Sequence, residues 1–255
     1  MGFYHPFERN DSMKNHFDKI AHDYDEDIYP LNDPAFVTPT VEAIESLAPG
    51  KKILEFGVGT GRIALPLAKK GFDVTGVDIS PKMLTELKIK AGETTIQVHE
   101  GEMSSISLNE KYDLAYCIFN GISYLLTLAE QVAFLKNASR HLNKGGIFLL
   151  ETFIPRVEQI LKDDTAPYAL EEDYLGFDKY NRIEQLVTSY QFDLSSPDVE
   201  RFESTHRYVW PSELELMGQL AGMELLHRWG EWDGEPLSNE SANVIMVWRK
   251  TNDCS

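Results

Sequence analysis

The sequence predicts one α/β domain: a parallel sheet with helices on both faces, carrying an antiparallel β insertion late in the chain. Three observations carry that prediction. Between residues 51 and 155, short and almost wholly apolar strand segments alternate with helical ones, the pattern of strands buried on both faces. A glycine-rich turn, Gly57-Val58-Gly59-Thr60-Gly61, joins the first of these strands to the next helix. After Pro155 the apolar period drops to two, as in strands covered on one face only.

The elements follow in order. Phe17, Ile20, Ala21 and Tyr24 recur at helical spacing, predicting a helix over Asp11–Asp27 capped by Asp11 or Ser12. A Pro-rich approach leads to a short helix near Val41–Leu47, stopped by Pro49-Gly50. Lys52–Gly57 is the first strand, Arg62–Lys70 a helix and Phe72–Asp78 the second strand. Ser80 caps the next helix, with Pro81 in its first turn. Ile96–His99, Tyr112–Phe119 and Ile147–Phe153 are further strands, the last two separated by a helix over Leu128–Leu142. Beyond Pro155 a short helix and an acidic stretch, read as a solvated rim between Asp163 and Asp173, precede two alternating segments. Arg182–Leu194 and Phe202–Trp210 are read as antiparallel strands, the second presenting Phe202, Ser204, His206, Tyr208 and Trp210 on one face. Pro211–Ala221 is a helix, and Met223–Trp229 with Asn243–Arg249 forms a closing hairpin.

Composition narrows the function. The chain has 255 residues, 42% hydrophobic and 25% charged, which excludes disorder over its length. With 24 basic and 41 acidic residues the formal charge is −17, a field that repels nucleic acid and anionic membrane surfaces. Two cysteines, Cys117 and Cys254, make neither a disulfide framework nor a zinc site, so a reducing, cytoplasmic setting is expected. No apolar run is long enough to span a membrane, and the first residues lack the pattern of a signal peptide or lipid anchor.

The glycine loop and its neighbours define a ligand class. Three glycines let backbone approach a ligand where a Cβ would collide. Asp78, at the end of the second strand, suits the two hydroxyls of a ribose. A dinucleotide site prefers Gly-x-Gly-x-x-Gly, but the third position here is Arg62. Glu55, just before the loop, would repel a pyrophosphate. The same acid suits a ligand with an amino group, a positive sulfur and no phosphate, which describes S-adenosylmethionine. A nicotinamide oxidoreductase is therefore disfavoured.

On these motifs the chain resembles the class I S-adenosylmethionine-dependent methyltransferases, with the closest likeness to bacterial small-molecule, amino-sugar-type N- and O-methyltransferases. Glu55–Gly61 resembles their first motif and Val77-Asp78-Ile79-Ser80 their second. Gly101-Glu102-Met103 resembles the acidic motif that holds the adenine edge, with Glu102 where Asp is more usual. Tyr112-Asp113 through Phe119-Asn120 resembles the fourth-strand motif, Leu142–Gly146 the loop before the fifth strand, and Phe17–Asp25 the helix that lids the cofactor. The resemblance implies a Rossmann-like sheet of order 3-2-1-4-5-7-6 with strand seven antiparallel. It also implies S-adenosylmethionine as cofactor and S-adenosylhomocysteine as product. The implied cofactor residues are Tyr24, Glu55, Gly57, Gly59, Gly61, Asp78, Ile79, Met83, Glu102, Met103 and Phe119. One domain is expected over 1–255: an N-terminal helical lid at 11–48, the cofactor core at 51–155, an inserted acceptor-side lid at 156–210 and a closing helix and hairpin at 211–250.

A sulfonium methyl is already activated, so proximity and orientation carry most of the catalysis. The carboxyl end of the fourth strand, Phe119–Leu125, is where such sites form. Tyr124 and His206 are the candidate catalytic residues, Tyr124 standing where some of the resembled enzymes have histidine. A tyrosine is a poor base at its usual pKa of about 10, which favours orientation over proton abstraction. His22 lies on the lidding helix, and Glu151 and Thr152 end the fifth strand where they are expected to line the pocket. The remaining histidines have no metal-ligand spacing. The expected activity is methyl transfer to oxygen or nitrogen of a small metabolite, with no nucleic-acid or membrane partner. The alternative is an enzyme that binds the same cofactor but catalyses a non-methylating step such as cyclisation or decarboxylation.

Overall fold

The computed structural model describes residues 14, 16–28, 34–156, 165–195 and 199–251. Among these, eleven strands are labelled in chain order: β1 (Lys52–Phe56), β2 (Asp73–Asp78), β3 (Gln97–Glu100), β4 (Tyr112–Cys117), β5 (Leu142–Phe153), β6 (Thr165–Leu170), β7 (Tyr174–Asn181), β8 (Leu186–Asp193), β9 (Glu200–Arg207), β10 (Met223–Trp229) and β11 (Asn243–Lys250). Seven of them make one sheet in the order β10-β11-β5-β4-β1-β2-β3. Strands β1 to β5 are parallel, and β11 enters antiparallel to both β5 and β10. This is the order the resemblance implies.

Burial explains the short apolar strands. One face of the sheet packs Phe56, Phe148 and Trp248 against Phe134 of the helix Leu128–His141. The other packs Ile53, Val74, Leu114 and Leu149 against Ile44, Ile63 and Leu67. Both layers have to be filled, so the interiors of the central strands are largely apolar, with Thr75 of β2 a buried exception. The helices begin where side chains satisfy their first N–H groups. Ser80 Oγ accepts the Met83 N–H at the start of Pro81–Ala91, and Thr127 and Glu130 form a capping box for Leu128–His141. The chain order reverses between β1 and β4, and a cleft opens at the carboxyl ends of these strands.

The four remaining strands form an antiparallel sheet, β6-β7-β8-β9. Here the sequence reading needs correction. Arg182–Leu194 is not one strand, because residues 182–185 are the turn of a β7–β8 hairpin. Asn181 Oδ1 accepts the N–H groups of Ile183 and Glu184, and Gln185 takes a positive φ of 55°. Strands β6 and β7 were not predicted. Glu171, Glu172 and Asp173 are exposed in the turn between them. The short helix predicted after Pro155, with Asp163 and Asp164, lies outside the described residues, as do Asp11 and Ser12.

The second sheet is fastened to the first mainly by a buried cation. Arg207, at the end of β9, donates to Gln131 Oε1 (2.5 Å), Gln185 Oε1 (2.8 Å) and Glu213 Oε1 (3.1 Å). Gln131 Nε2 returns a bond to the Arg207 carbonyl oxygen. A small cluster of Tyr180, Val187 and Tyr208, backed by Phe153 and Trp210, supplies the apolar contact. Arg207→Ala should therefore lower stability by about 1.5–3 kcal/mol, since it removes the charge-assisted hydrogen bonds to Gln131, Gln185 and Glu213. Urea denaturation measures this, and a loss under about 1 kcal/mol would show that the sheet is held by other means.

Candidate active site

The glycine loop forms the floor of the cleft. Gly57 and Gly59 take φ of 74° and 53°, values that a side chain resists, and both border the cleft. Gly61, with φ of 84°, has a different task. A Cβ there would come within 2.9 Å of Leu87 Cγ, so this glycine lets the loop close onto the helix Pro81–Ala91, and it does not border the cleft. Asp78 ties the loop to β2. Its Oδ2 accepts the Gly59 N–H at 2.8 Å and its Oδ1 the Ser80 N–H at 2.9 Å. Burial pushes its carboxyl upward, and these N–H donors oppose the shift.

Glu55, at the end of β1, is 3% exposed and borders the cleft. Tyr116 donates its hydroxyl to Glu55 Oε2 at 2.7 Å. Burial pushes the Glu55 carboxyl up to about 8, so it holds a proton at neutral pH until a cation arrives. Glu102 and Met103 follow β3, and Ile79 and Met83 follow β2; all four border the cleft.

Phe17 and Tyr24 from the N-terminal segment, Arg62 just after the loop and Phe119 also line the cleft. The Arg62 guanidinium lies over the Phe119 ring at 5.0 Å and the Tyr24 ring at 5.7 Å. Asp25 approaches Arg62 Nη2 at 3.7 Å, accepts the Thr60 hydroxyl at 2.9 Å and pairs with Lys90. Asp18 Oδ1 accepts the Ser80 hydroxyl at 2.6 Å, and Lys14 pairs with Glu100. Polar contacts of Lys14, Asp18 and Asp25 thus hold this segment against the core. His22 is exposed and sits 3.6 Å from Glu86, away from the cleft.

At the end of β4, Phe119 and Asn120 both adopt left-handed backbone, with φ of 51° and 61°. Such positions cost about 1–3 kcal/mol each and persist where surroundings hold them. A 3₁₀ turn, Gly121–Tyr124, follows and puts Tyr124 at the cleft wall. The Tyr124 ring lies between Phe17 (5.1 Å) and His206 (4.6 Å), both edge-on. His206 does not border the cleft itself. Its Nδ1 meets Ser123 Oγ at 2.9 Å and its Nε2 meets Ser204 Oγ at 3.0 Å. Ser123 spends its proton on the Asn120 carbonyl oxygen, so the network assigns the proton of His206 to Nδ1. Burial lowers the His206 pKa to about 4, which keeps the ring neutral.

Tyr124 and ten of the eleven residues expected at the cofactor therefore share one cleft, Gly61 being the exception. Thr152 gives its hydroxyl to Asn120 Oδ1 (3.4 Å), and Glu151 faces backbone beneath Phe119; neither borders the cleft. Of the even-numbered face of Phe202–Trp210, Phe202 is exposed, while Tyr208 and Trp210 lie beyond the end of β9 in the apolar cluster. Sequence reasoning did not assign Phe17 or Arg62 to the site. The spacing that puts Phe17 on the inner side of its helix was the available signal for one; Arg62 offered only its place after the loop.

The donor set fits a cation. A pyrophosphate would face Glu55 and Asp78 across a floor of bare backbone, whereas a sulfonium and an ammonium would be attracted. Comparison with known proteins agrees. Residues 53–146 match the family model described as a methyltransferase domain. A cypemycin N-terminal methyltransferase from Streptomyces sp is 25% identical over 202 residues, covering 78% of this chain and 82% of that protein. The solved CcbJ methyltransferase from Streptomyces caelestis is 28% identical with a TM-score of 0.81, covering 93% of this chain and 98% of that one. CalS10 from Micromonospora echinaspora, an amino pentose methyltransferase solved with S-adenosylmethionine bound, shares the fold at 19% identity and a TM-score of 0.63, over 98% and 99% of the two chains.

The raised Glu55 pKa fixes a sign. Native Glu55 keeps its proton up to about pH 8, while the unfolded chain loses it near the ordinary glutamate value. Its contribution to stability therefore falls as pH rises through that window. Without ligand, the wild type should lose more stability between pH 5.5 and pH 8 than Glu55→Gln does, measured as urea midpoints at both pH values. Parallel losses in the two proteins would place an ionised carboxylate at the cleft floor.

Proposed function

We propose that this chain, an S-adenosylmethionine-dependent methyltransferase, methylates a nitrogen or oxygen of a small-molecule metabolite in a cytoplasmic setting. The observation that carries the acceptor reading is Tyr124. Its ring stands where the cofactor cleft meets His206 on the antiparallel sheet, under Phe17. That junction is walled by aromatic rings, which suits a small organic acceptor. The −17 charge works against a nucleic-acid acceptor as well. The cypemycin enzyme is named for transfer to an N-terminus, which supports a nitrogen acceptor for this chain.

Each wall residue has an assigned task in this reading. The cofactor supplies an electrophilic methyl carbon on positive sulfur. Glu55 receives the ammonium of its amino-acid tail, and Arg62 the carboxylate. Asp78 keeps lone pairs beyond those used by Gly59 and Ser80, and these take the ribose hydroxyls. Glu102 with the Met103 amide takes the adenine edge, while Ile79 and Met83 flank the ring. Phe17 and Tyr24 exclude water from above. Tyr124 orients the acceptor, and neutral His206 holds the Tyr124 ring in place. Alignment of this kind supplies up to roughly 7–11 kcal/mol of barrier lowering, with no metal or strong base required.

Three measurements test the reading. Binding of S-adenosylhomocysteine brings an ammonium to Glu55 and lowers its pKa from about 8, so up to about one proton should leave per ligand at pH 7. Calorimetry in buffers of different ionisation enthalpy detects that release, and Glu55→Gln should abolish it; equal release from both proteins would remove Glu55 from the ammonium site. Amine and hydroxyl metabolites incubated with S-adenosylmethionine should gain one methylene unit in mass. Cofactor consumption with an unchanged or rearranged product mass would favour the non-methylating alternative. Tyr124→Phe keeps the ring and removes the hydroxyl, so turnover should fall about tenfold or more while cofactor affinity holds. Full turnover would leave Tyr124 as packing alone.

A further inference from the structure

The left-handed pair Phe119-Asn120 is held from below by a residue that the proposed chemistry does not use. Glu151 Oε2 accepts the Phe119 N–H at 2.6 Å, and the same carboxylate takes the Asn120 N–H. Asn120 Oδ1 accepts the Phe153 N–H at 2.6 Å, so the turn is strapped to the end of β5 at two points. Glu151 is 7% exposed. A carboxyl group buried in a sheet carries a desolvation cost that an apolar residue would avoid. Packing gives no reason for it, whereas the turn does: two adjacent N–H groups aimed downward need a strong acceptor.

The turn has a clear structural product. It sets the Phe119 ring 5.0 Å from the Arg62 guanidinium, at the wall where the cofactor's carboxylate is assigned. Glu151, the turn, Phe119 and Arg62 thus form one line of direct contacts from the interior of the sheet to the cleft.

We propose that Glu151 is a positioning residue for the cofactor: by clamping the Phe119-Asn120 turn, it holds Phe119 against Arg62 and so fixes the guanidinium that receives the carboxylate of the tail. The inference rests on the reading of the cleft as an S-adenosylmethionine site and is independent of the acceptor.

The test is a cycle of dissociation constants for S-adenosylhomocysteine, measured by calorimetry on the wild type, Glu151→Ala, Phe119→Leu and the double variant. Each single substitution should weaken binding about tenfold, the loss expected when one held left-handed residue is released. Because both act through the same ring, the double variant should lose about tenfold to thirtyfold, short of the roughly hundredfold that independent effects would give. Glu151→Gln keeps an acceptor oxygen in place and should bind within about threefold of the wild type. A merely structural glutamate would lower the melting temperature without this coupling. Glu151→Ala or Phe119→Leu binding like the wild type, or fully additive losses between these two, overturns the proposal. If Glu151→Ala does not fold, Glu151→Gln completes the cycle. Its small loss should vanish in the Phe119→Leu background, and an equal loss in both backgrounds overturns the proposal. A wild type that does not bind S-adenosylhomocysteine overturns the cofactor reading, and this inference with it; the other outcomes bear on Glu151 alone.

Discussion

Asp78 closes the end of β2 with its two oxygens on the N–H groups of Gly59 and Ser80, and this tie sets where the glycine loop lies. Gly57, Gly59 and Gly61 have left-handed backbone that unbranched chain tolerates but does not choose on its own. Once pinned, the loop packs onto the helix Pro81–Ala91 through Gly61 and leaves room above Gly57 and Gly59. Ser80, beside the same carboxylate, caps the next helix and binds Asp18 of the N-terminal segment. Floor, flanking helix and cover thus share one acid.

The electrostatics follow from that arrangement. Glu55 and Asp78 border the cleft and Glu151 lies just behind it; burial raises all three carboxyls. Among the described lining residues Arg62 is the one cation, and it is already engaged by two aromatic rings and Asp25. Such a site favours a zwitterionic ligand whose positive centres lie over the acids and whose negative end reaches Arg62. His206, held neutral by burial, adds no repulsion toward a positively charged sulfur.

The half of the molecule that carries the cleft was legible because its signals are local. Doubly buried strands are short apolar runs, a glycine loop is contiguous, and Ser80-Pro81 marks a helix start within two residues. The antiparallel sheet was less legible. Strands β6 and β7 contain Pro167, Gly176 and Lys179, and their partly exposed faces blur the alternation. The Asn181 turn resembles strand continuation until its side chain is seen to bond two N–H groups ahead. At the site, the end of the fifth strand suggested that Glu151 lines the pocket, but the sequence said nothing about the φ of Phe119 and Asn120, which is where its carboxylate acts. Arg62 was read only for what it excludes. Its place against Tyr24 and Phe119 depends on contacts between segments far apart in sequence.

The way the antiparallel sheet is fastened has an evolutionary consequence. It joins the rest of the molecule through the Arg207 network, one small apolar cluster and the contacts of His206 with Ser123 and Tyr124, while the two large cores contain no residue of β6 to β9. Away from His206 and Arg207, substitutions on β6 to β9 therefore touch neither the glycine loop nor the two large cores. The nucleoside site and the bolted-on panel beside it can therefore drift largely apart, each held by its own set of contacts.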